Sequence, residues 1–313
     1  MKKIILALCV TLLLCSCTKE VANNNTDVSP SPEPTVVVTP EPTPVVTSTP
    51  ESTAKVVSKP ASKPAPKSTP KPATTYTGSD PLGALDNTGS GWGFVKVKGS
   101  KPNISQKIQD LFAKYDAYCM DNSGNKVLYL TFDEGYENGY TGKILDTLKK
   151  CDVPAAFFIT GSYFDRETAL VDRMINEGHI VGNHTENHKN LHKLVDPDKM
   201  RYEFSALDDK FYQRYGQHMR YMRPPEGEFS ERVLAVAQDA GYRTTLWSFA
   251  YKDWEQNNIR GAQYAFDSIT PYLHSGCIIL LHAVSSDNAN ALENVINYAK
   301  EHGYVFKSLD ALP

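Results

Sequence analysis

The stretch Val127-Leu-Tyr-Leu-Thr-Phe-Asp-Glu-Gly135 decides how the chain reads. Val127 to Phe132 form a short, unbroken run of apolar and β-branched residues, the pattern of a strand buried on both faces in a parallel sheet. The run ends on two carboxylates and a glycine, so both acids arrive at a strand end with backbone freedom beside them. An Asp-Glu-Gly after a strand is weak on its own; its meaning depends on what else reaches the same place.

Working outward, strand and helix patterns alternate. Upstream, Ile104, Ile108, Leu111, Phe112 and Tyr115 fall at helical spacing. Downstream come a helix with Ile144, Leu145 and Leu148, a strand Ala155–Thr160, a helix with Leu170, Val171, Met174 and Ile175, and a strand His179–Gly182. A longer helix carries Met200, Phe204, Leu207 and Phe211, and Tyr221–Arg223 reads as a strand. Ser230 N-caps the next helix, which ends near Gly241. Strands Thr244–Phe249, Cys277–Leu281 and Tyr304–Leu309 complete the set, with helices around Phe266 and around Leu292 between them. Seven strands alternating with helices imply parallel pairing. With polar residues collected at strand ends, they favour a distorted (β/α)7-type barrel over an open sheet.

The first quarter is different. All 32 aromatic residues and all 19 glycines lie after Thr75, and twelve of the 20 prolines fall between Pro30 and Pro72. Such a segment has too little apolar bulk to offset chain entropy. Residues 17–80 therefore read as a disordered Pro/Ser/Thr-rich tether, 81–125 as an extension of the folded domain, and 126–313 as its body. Lys2 and Lys3 precede the apolar run Ile4–Leu14, too short to span a bilayer but suited to an export signal over residues 1–16. Leu14-Cys-Ser-Cys17 resembles a lipobox, which implies acylation of Cys17, and two acyl chains suffice for stable membrane anchoring. This places the folded part on the outer face of the cytoplasmic membrane. Up to Thr75 there are eight basic and five acidic residues, leaving 25 and 31 beyond it. That acidic remainder argues against nucleic-acid binding. Cys119, Cys151 and Cys277 are odd in number and lack CxxC spacing, so neither a disulfide framework nor a structural zinc site is suggested.

Several chemically suggestive groups accompany the acidic pair. His184 and His188 are spaced i and i+4, which on a helical turn would put both imidazoles on one face. Two such nitrogens and one carboxylate make a three-ligand set with an open position, as catalytic zinc requires. In Arg223-Pro-Pro-Glu-Gly227 the two prolines fix the path, so Arg223 is held in one place. Its guanidinium beside Asp133 would keep that carboxylate ionised. Asp253-Trp254 and Leu281-His282 follow other strands.

Taken in order, Thr131-Phe-Asp-Glu-Gly135, His184-Thr-Glu-Asn-His188, Arg223-Pro-Pro-Glu-Gly227, Asp253-Trp254 and Leu280-Leu-His282 resemble the five motifs of the polysaccharide deacetylases. These are carbohydrate esterase family 4, the NodB homology fold. Thr131–Thr141, Trp92-Gly-Phe94 and Leu281–Ala289 are similar to its delta-lactam-biosynthetic branch, which deacetylates N-acetylmuramic acid in spore cortex peptidoglycan. The resemblance implies Asp133 as general base, His282 as general acid oriented by Asp253, and Arg223 as the group that tunes Asp133. It implies the Glu226 backbone N–H as oxyanion donor, and Trp254 and Leu281 as the lining for the acetyl methyl. It also implies a divalent ion, zinc, on Glu134, His184 and His188. The family's usual second Asp is here Glu134.

The expected function is therefore metal-dependent hydrolysis of the N-acetyl group of N-acetylmuramic acid. The expected partners are glycan strands and, through the lipid, a membrane; no nucleic acid is expected, and the protein should be a monomer. Two rivals remain: the same chemistry on N-acetylglucosamine, and a catalytically inactive wall-binding lipoprotein.

Overall fold

The structure is a computed structural model that describes residues 80–313. The expected export signal, the expected lipidation site at Cys17 and all of the expected tether but its last residue, Asp80, lie outside the described residues.

Among the described residues, ten strands and eight α-helices are formed. The strands are β1 (Ser90–Gly91), β2 (Ala117–Tyr118), β3 (Val127–Glu134), β4 (Ala155–Ile159), β5 (Ile180–Asn183), β6 (Tyr221–Met222), β7 (Glu228–Phe229), β8 (Arg243–Thr245), β9 (Cys277–His282) and β10 (Val305–Phe306). The helices are α1 (Gln106–Lys114), α2 (Thr141–Cys151), α3 (Gly161–Arg166), α4 (Thr168–Asn176), α5 (Pro197–Tyr215), α6 (Glu231–Asp239), α7 (Ala262–Ile269) and α8 (Ser286–Glu301). Eight strands form one parallel sheet in the order β10-β3-β4-β5-β6-β8-β2, with β9 also on β3. The sheet curls into a half-barrel. Between β8 and β9 closure is reduced to an isolated bridge from Phe249 to Ile279.

β3 is the axis of this sheet, and its composition explains why. All eight of its residues are buried. Alternation sends Leu128, Leu130 and Phe132 into the main core beneath the helices, where Phe132 stacks on Phe157 at 5.1 Å. Val127 and Tyr129 go to the other face, into a smaller cluster with Phe158, Tyr221 and Ile278. A strand with two apolar environments needs the continuous apolar run read from the sequence. Each such side chain contributes about 1.5–3 kcal/mol by burial, so truncating Phe132 to Ala should cost about 3–5 kcal/mol.

The departures from the expected elements have local causes. β8 stops at Thr245 rather than continuing to Phe249, because the Arg223 guanidinium takes the carbonyls of Thr245 and Leu246 that a neighbouring strand would otherwise use. β6 ends before Pro224, which cannot donate to a ladder. α3 has no counterpart among the expected helices; Thr160 caps it by accepting from the Tyr163 N–H at 3.2 Å. Ser230 caps α6 in the same way, at 3.1 Å from the Val233 N–H. The strand β2 adds an eighth member to the seven expected. It comes from the 81–125 segment, so that segment shares the sheet. The same segment packs Trp92, Phe112 and Ile104 against Phe229, Leu234 and Leu246, and pairs β1 antiparallel with β7.

Candidate active site

Residues at or just after the C-terminal ends of β3, β4, β5, β6, β8 and β9 line one cleft of about 870 Å³. This is within the range of small-ligand sites. Asp133 and His282 are direct cross-strand partners in the β3–β9 register, so their side chains rise on the same face of adjacent strands. The register alone brings an acid and a base together.

Asp133 is held from behind. Arg223 donates from Nη1 to Asp133 Oδ1 at 2.7 Å, and its Nε and Nη2 go to the Thr245 and Leu246 carbonyls at 2.8 and 3.2 Å. The guanidinium is fully buried, 4.1 Å from the centre of the Phe158 ring. Burial by itself would raise the Asp133 carboxyl; the charges of Arg223 and the nearby histidines outweigh it and leave it below the ordinary carboxylate range.

The histidine pair arrives by a different route from the one expected. His184 and His188 are not on a helical turn but on the loop after β5, with ring centres 4.8 Å apart. Left-handed φ values of 70° at Thr185 and 52° at His188 turn the chain back. Such backbone is costly for non-glycine residues and persists where surroundings over-determine it. Asn183 Oδ1 accepts from the Thr185 N–H at 2.8 Å, and Glu203 accepts from the Asn187 N–H at 2.9 Å and its side chain at 3.1 Å. His184 Nδ1 faces the Arg223 carbonyl at 2.8 Å. A carbonyl only accepts, so Nδ1 carries the proton and Nε2 presents a lone pair, 3.6 Å from Asp133 Oδ2. Burial pushes His184 down to about 4, which keeps it neutral near pH 7.

His282 has the opposite setting. Asp253 accepts from His282 Nδ1 at 2.8 Å through one oxygen and from the His282 N–H at 2.8 Å through the other. Burial works against the imidazolium, but the charge and hydrogen bond of Asp253, with the charge of Asp133, leave His282 above the ordinary histidine range. The site thus separates a carboxylate kept ionised from an imidazole inclined to hold its proton, the pairing that base and acid roles require.

The polysaccharide deacetylase family model matches residues 121–245. The chain is 43% identical over 231 residues to the peptidoglycan-N-acetylmuramic acid deacetylase PdaA of Bacillus subtilis (strain 168), covering 73% of this chain and 88% of that protein. It belongs to the polysaccharide deacetylase family. The solved structure of Bacillus subtilis PdaA, a family 4 carbohydrate esterase, superposes with a TM-score of 0.71 at 43% identity, covering 73% of this chain and 98% of that one. A peptidoglycan-N-acetylglucosamine deacetylase of Bacillus cereus is 32% identical over 196 residues, 61% of this chain and 89% of that protein.

Two expected site residues of this polysaccharide deacetylase stand elsewhere. Glu134 follows Asp133 on β3, so alternation turns it to the other face, where it is fully buried and does not line the cleft. Neither of its carboxylate oxygens has a hydrogen-bond partner among the described residues. Burial, with Glu137 and Asp133 nearby, pushes its carboxyl well above the usual range. Glu134, His184 and His188 therefore do not assemble as a ligand set, and no group of three ligating side chains forms among the described residues. The two histidines do fit a divalent ion as donors: both line the cleft, and His184 Nε2 is unprotonated. The second correction is Leu281, which lies in register with Phe132 and joins the helix-side core; Leu280 lines the cleft instead.

Glu226 and Trp254 both line the cleft, Trp254 half-exposed with its ring 5.7 Å from that of His282. Glu226 has φ 59°, and Gly227 after it has φ 69°. A Cβ at Gly227 would lie 2.7 Å from the Trp247 ring, so glycine is required there on two counts. Sequence reasoning missed Trp247, Tyr136, Thr160, Ser162, Glu186 and Asn187, all in the lining. Thr160, at the end of β4, is recoverable by the same rule that draws attention to Asp133. Trp247 is not, because it reads as mid-strand.

Proposed function

We propose that this polysaccharide deacetylase is a peptidoglycan N-deacetylase that hydrolyses the N-acetyl group of N-acetylmuramic acid. The observation that carries the reading is the in-register pair of Asp133 and His282, each with its own partner of opposite charge. Water attacks the acetyl carbonyl carbon while Asp133 takes its proton. The developing oxyanion is met by the Glu226 backbone N–H at the strained turn. The C–N bond then breaks as His282 gives its proton to the departing nitrogen, leaving a free amine and acetate. Arg223 keeps Asp133 ionised, Asp253 orients the imidazole, and Leu280 with Trp254 shelters the methyl group.

Deacetylases of this family are generally metal-dependent. We place a divalent ion, zinc, on His184 and His188; when bound it would polarise water and carbonyl. Metal analysis of purified wild type against His188→Ala tests this, since the variant should lose bound metal whatever its activity.

Muramic acid is favoured over glucosamine by the higher identity, 43% against 32%, and the larger share of this chain, 73% against 61%, matched to the relative named for muramic acid. The freed amine could then close on the lactyl carboxylate as the delta-lactam of spore cortex. Acylation at Cys17, a position on the outer face of the cytoplasmic membrane and a monomeric state belong to the same proposal. Mass analysis of wall fragments after treatment is the deciding experiment. Acetate lost from muramic residues is the expected result; loss from glucosamine alone would move the enzyme to the rival substrate. No loss with any metal added would leave the inactive wall-binding lipoprotein.

A further inference from the structure

We propose that Asn288 and Tyr251 are positioning residues for the general acid, acting through Asp253. The inference rests on the reading of His282 as that acid. Asn288 lies in the first turn of α8 and is 1% exposed. Its Nδ2 donates to Asp253 Oδ2 at 2.6 Å and to the His282 carbonyl at 3.0 Å, and its Oδ1 accepts from the Tyr251 hydroxyl at 2.5 Å. Every hydrogen-bonding atom of the amide is thus engaged.

The arrangement has a direction. An amide can flip, exchanging its oxygen and nitrogen. A flip here would set Oδ1 against a carboxylate and a carbonyl, three acceptors together, with no proton among them. Asp253 and the His282 carbonyl therefore set the amide orientation. Tyr251, 8% exposed, donates its hydroxyl to the Oδ1 so placed and holds it there. The amide fixes the oxygen of Asp253 that also holds the His282 N–H. That leaves the other oxygen, Oδ1, aligned with His282 Nδ1. The neighbouring Asp287 carboxylate accepts from the Arg260 and Gly261 N–H groups at 2.8 and 3.0 Å, so the same helical turn also anchors the chain a few residues beyond Asp253. The first turn of α8 holds the acid from behind, as Arg223 holds the base.

A leaving amine needs a proton and a leaving p-nitrophenolate does not. Comparing acetate release from N-acetylated peptidoglycan with hydrolysis of p-nitrophenyl acetate therefore isolates the acid. In the full-length protein, Asn288→Ala should lower kcat on the glycan on the order of 10-fold with KM within about twofold, and leave ester hydrolysis near wild type. Tyr251→Phe should lower glycan kcat by a smaller factor and add nothing in the Asn288→Ala background, because it acts only through that amide. If Asn288→Ala does not fold, Tyr251→Phe, which keeps the ring, carries the comparison alone. Amide and ester rates falling together, additive effects, or wild-type glycan kcat in both variants would overturn the proposal. A wild-type enzyme that releases no acetate from glycan would instead remove the reading beneath it.

Discussion

At the residue scale the site consists of two charge pairs, Arg223 behind Asp133 and Asp253 behind His282. Arg223 is the costlier one to disturb. Arg223→Ala leaves a buried Asp133 with no counter-charge, so a loss of about 3–5 kcal/mol is expected by denaturant titration, along with activity. The same pairs fix the pH profile. Asp133 has a lowered carboxyl, so activity should appear as pH rises through a value below about 4 and remain above it. His282 must be protonated and its value is raised, so activity should fall only as pH rises past about 6.5 and beyond. Asp253→Asn removes the charge that favours the imidazolium. Its alkaline limb should move to lower pH, with kcat reduced on the order of 10²-fold or more. Glu134 gives an independent test. Its carboxyl is raised in the fold, so the penalty for its charge is absent below about pH 4 and grows as pH rises toward the folded value. Glu134→Gln should therefore be more stable than wild type at pH 7 by denaturant titration, and the gap should close by about pH 4. Its activity and metal content should match wild type. Asp133, Arg223 and His282 were legible in the sequence because each is a polar residue ending an apolar strand. Glu134 was misread because adjacency in sequence means opposite faces on a strand.

At the scale of elements, strands and helices were legible where periodicity was long, as in β3, β9 and α5. They were shortened where a side chain replaced a ladder, as Arg223 does beside β8. The loop carrying His188 was beyond pattern reading, since its turn depends on left-handed Thr185 and His188 and on Glu203, some fifteen residues away on α5. Glu203→Ala should release that loop. Metal retention and kcat should fall well before the unfolding midpoint does, because the bonds lost are those of the loop to α5. Gly227→Ala should cost about 1–3 kcal/mol from its positive φ alone, more if Trp247 must move, and should displace Glu226 from the cleft. Thermal melts beside acetate release would show both effects.

On the scale of the whole molecule, residues ahead of the barrel contribute to its catalytic face. Trp92 donates from its ring to the Trp247 carbonyl at 2.8 Å and from its N–H to the Gly227 carbonyl at 3.0 Å, and so holds the turn that presents Glu226. A chain beginning at Asp80 should keep the activity of the full protein on soluble glycan fragments. One beginning after Phe94 should lose stability, by an amount near the roughly 3–5 kcal/mol of a deleted core aromatic, and most activity. This involvement was legible only as composition, since nothing in Trp92-Gly-Phe94 names its partners.

The pairing of β3 with β9 has one more implication. Hydrogen bonding between strands comes in whole steps, and a slip of one residue carries a side chain through the sheet to the opposite side. The distance between base and acid is thus set in integers: a single-residue insertion within Ile278–Leu281 would send His282 under the helices and bring a leucine to the cleft in its place. Such a change leaves the apolar content of the strand almost intact. Drift by substitution can retune the charges around this pair, but only a change of register can separate its two members.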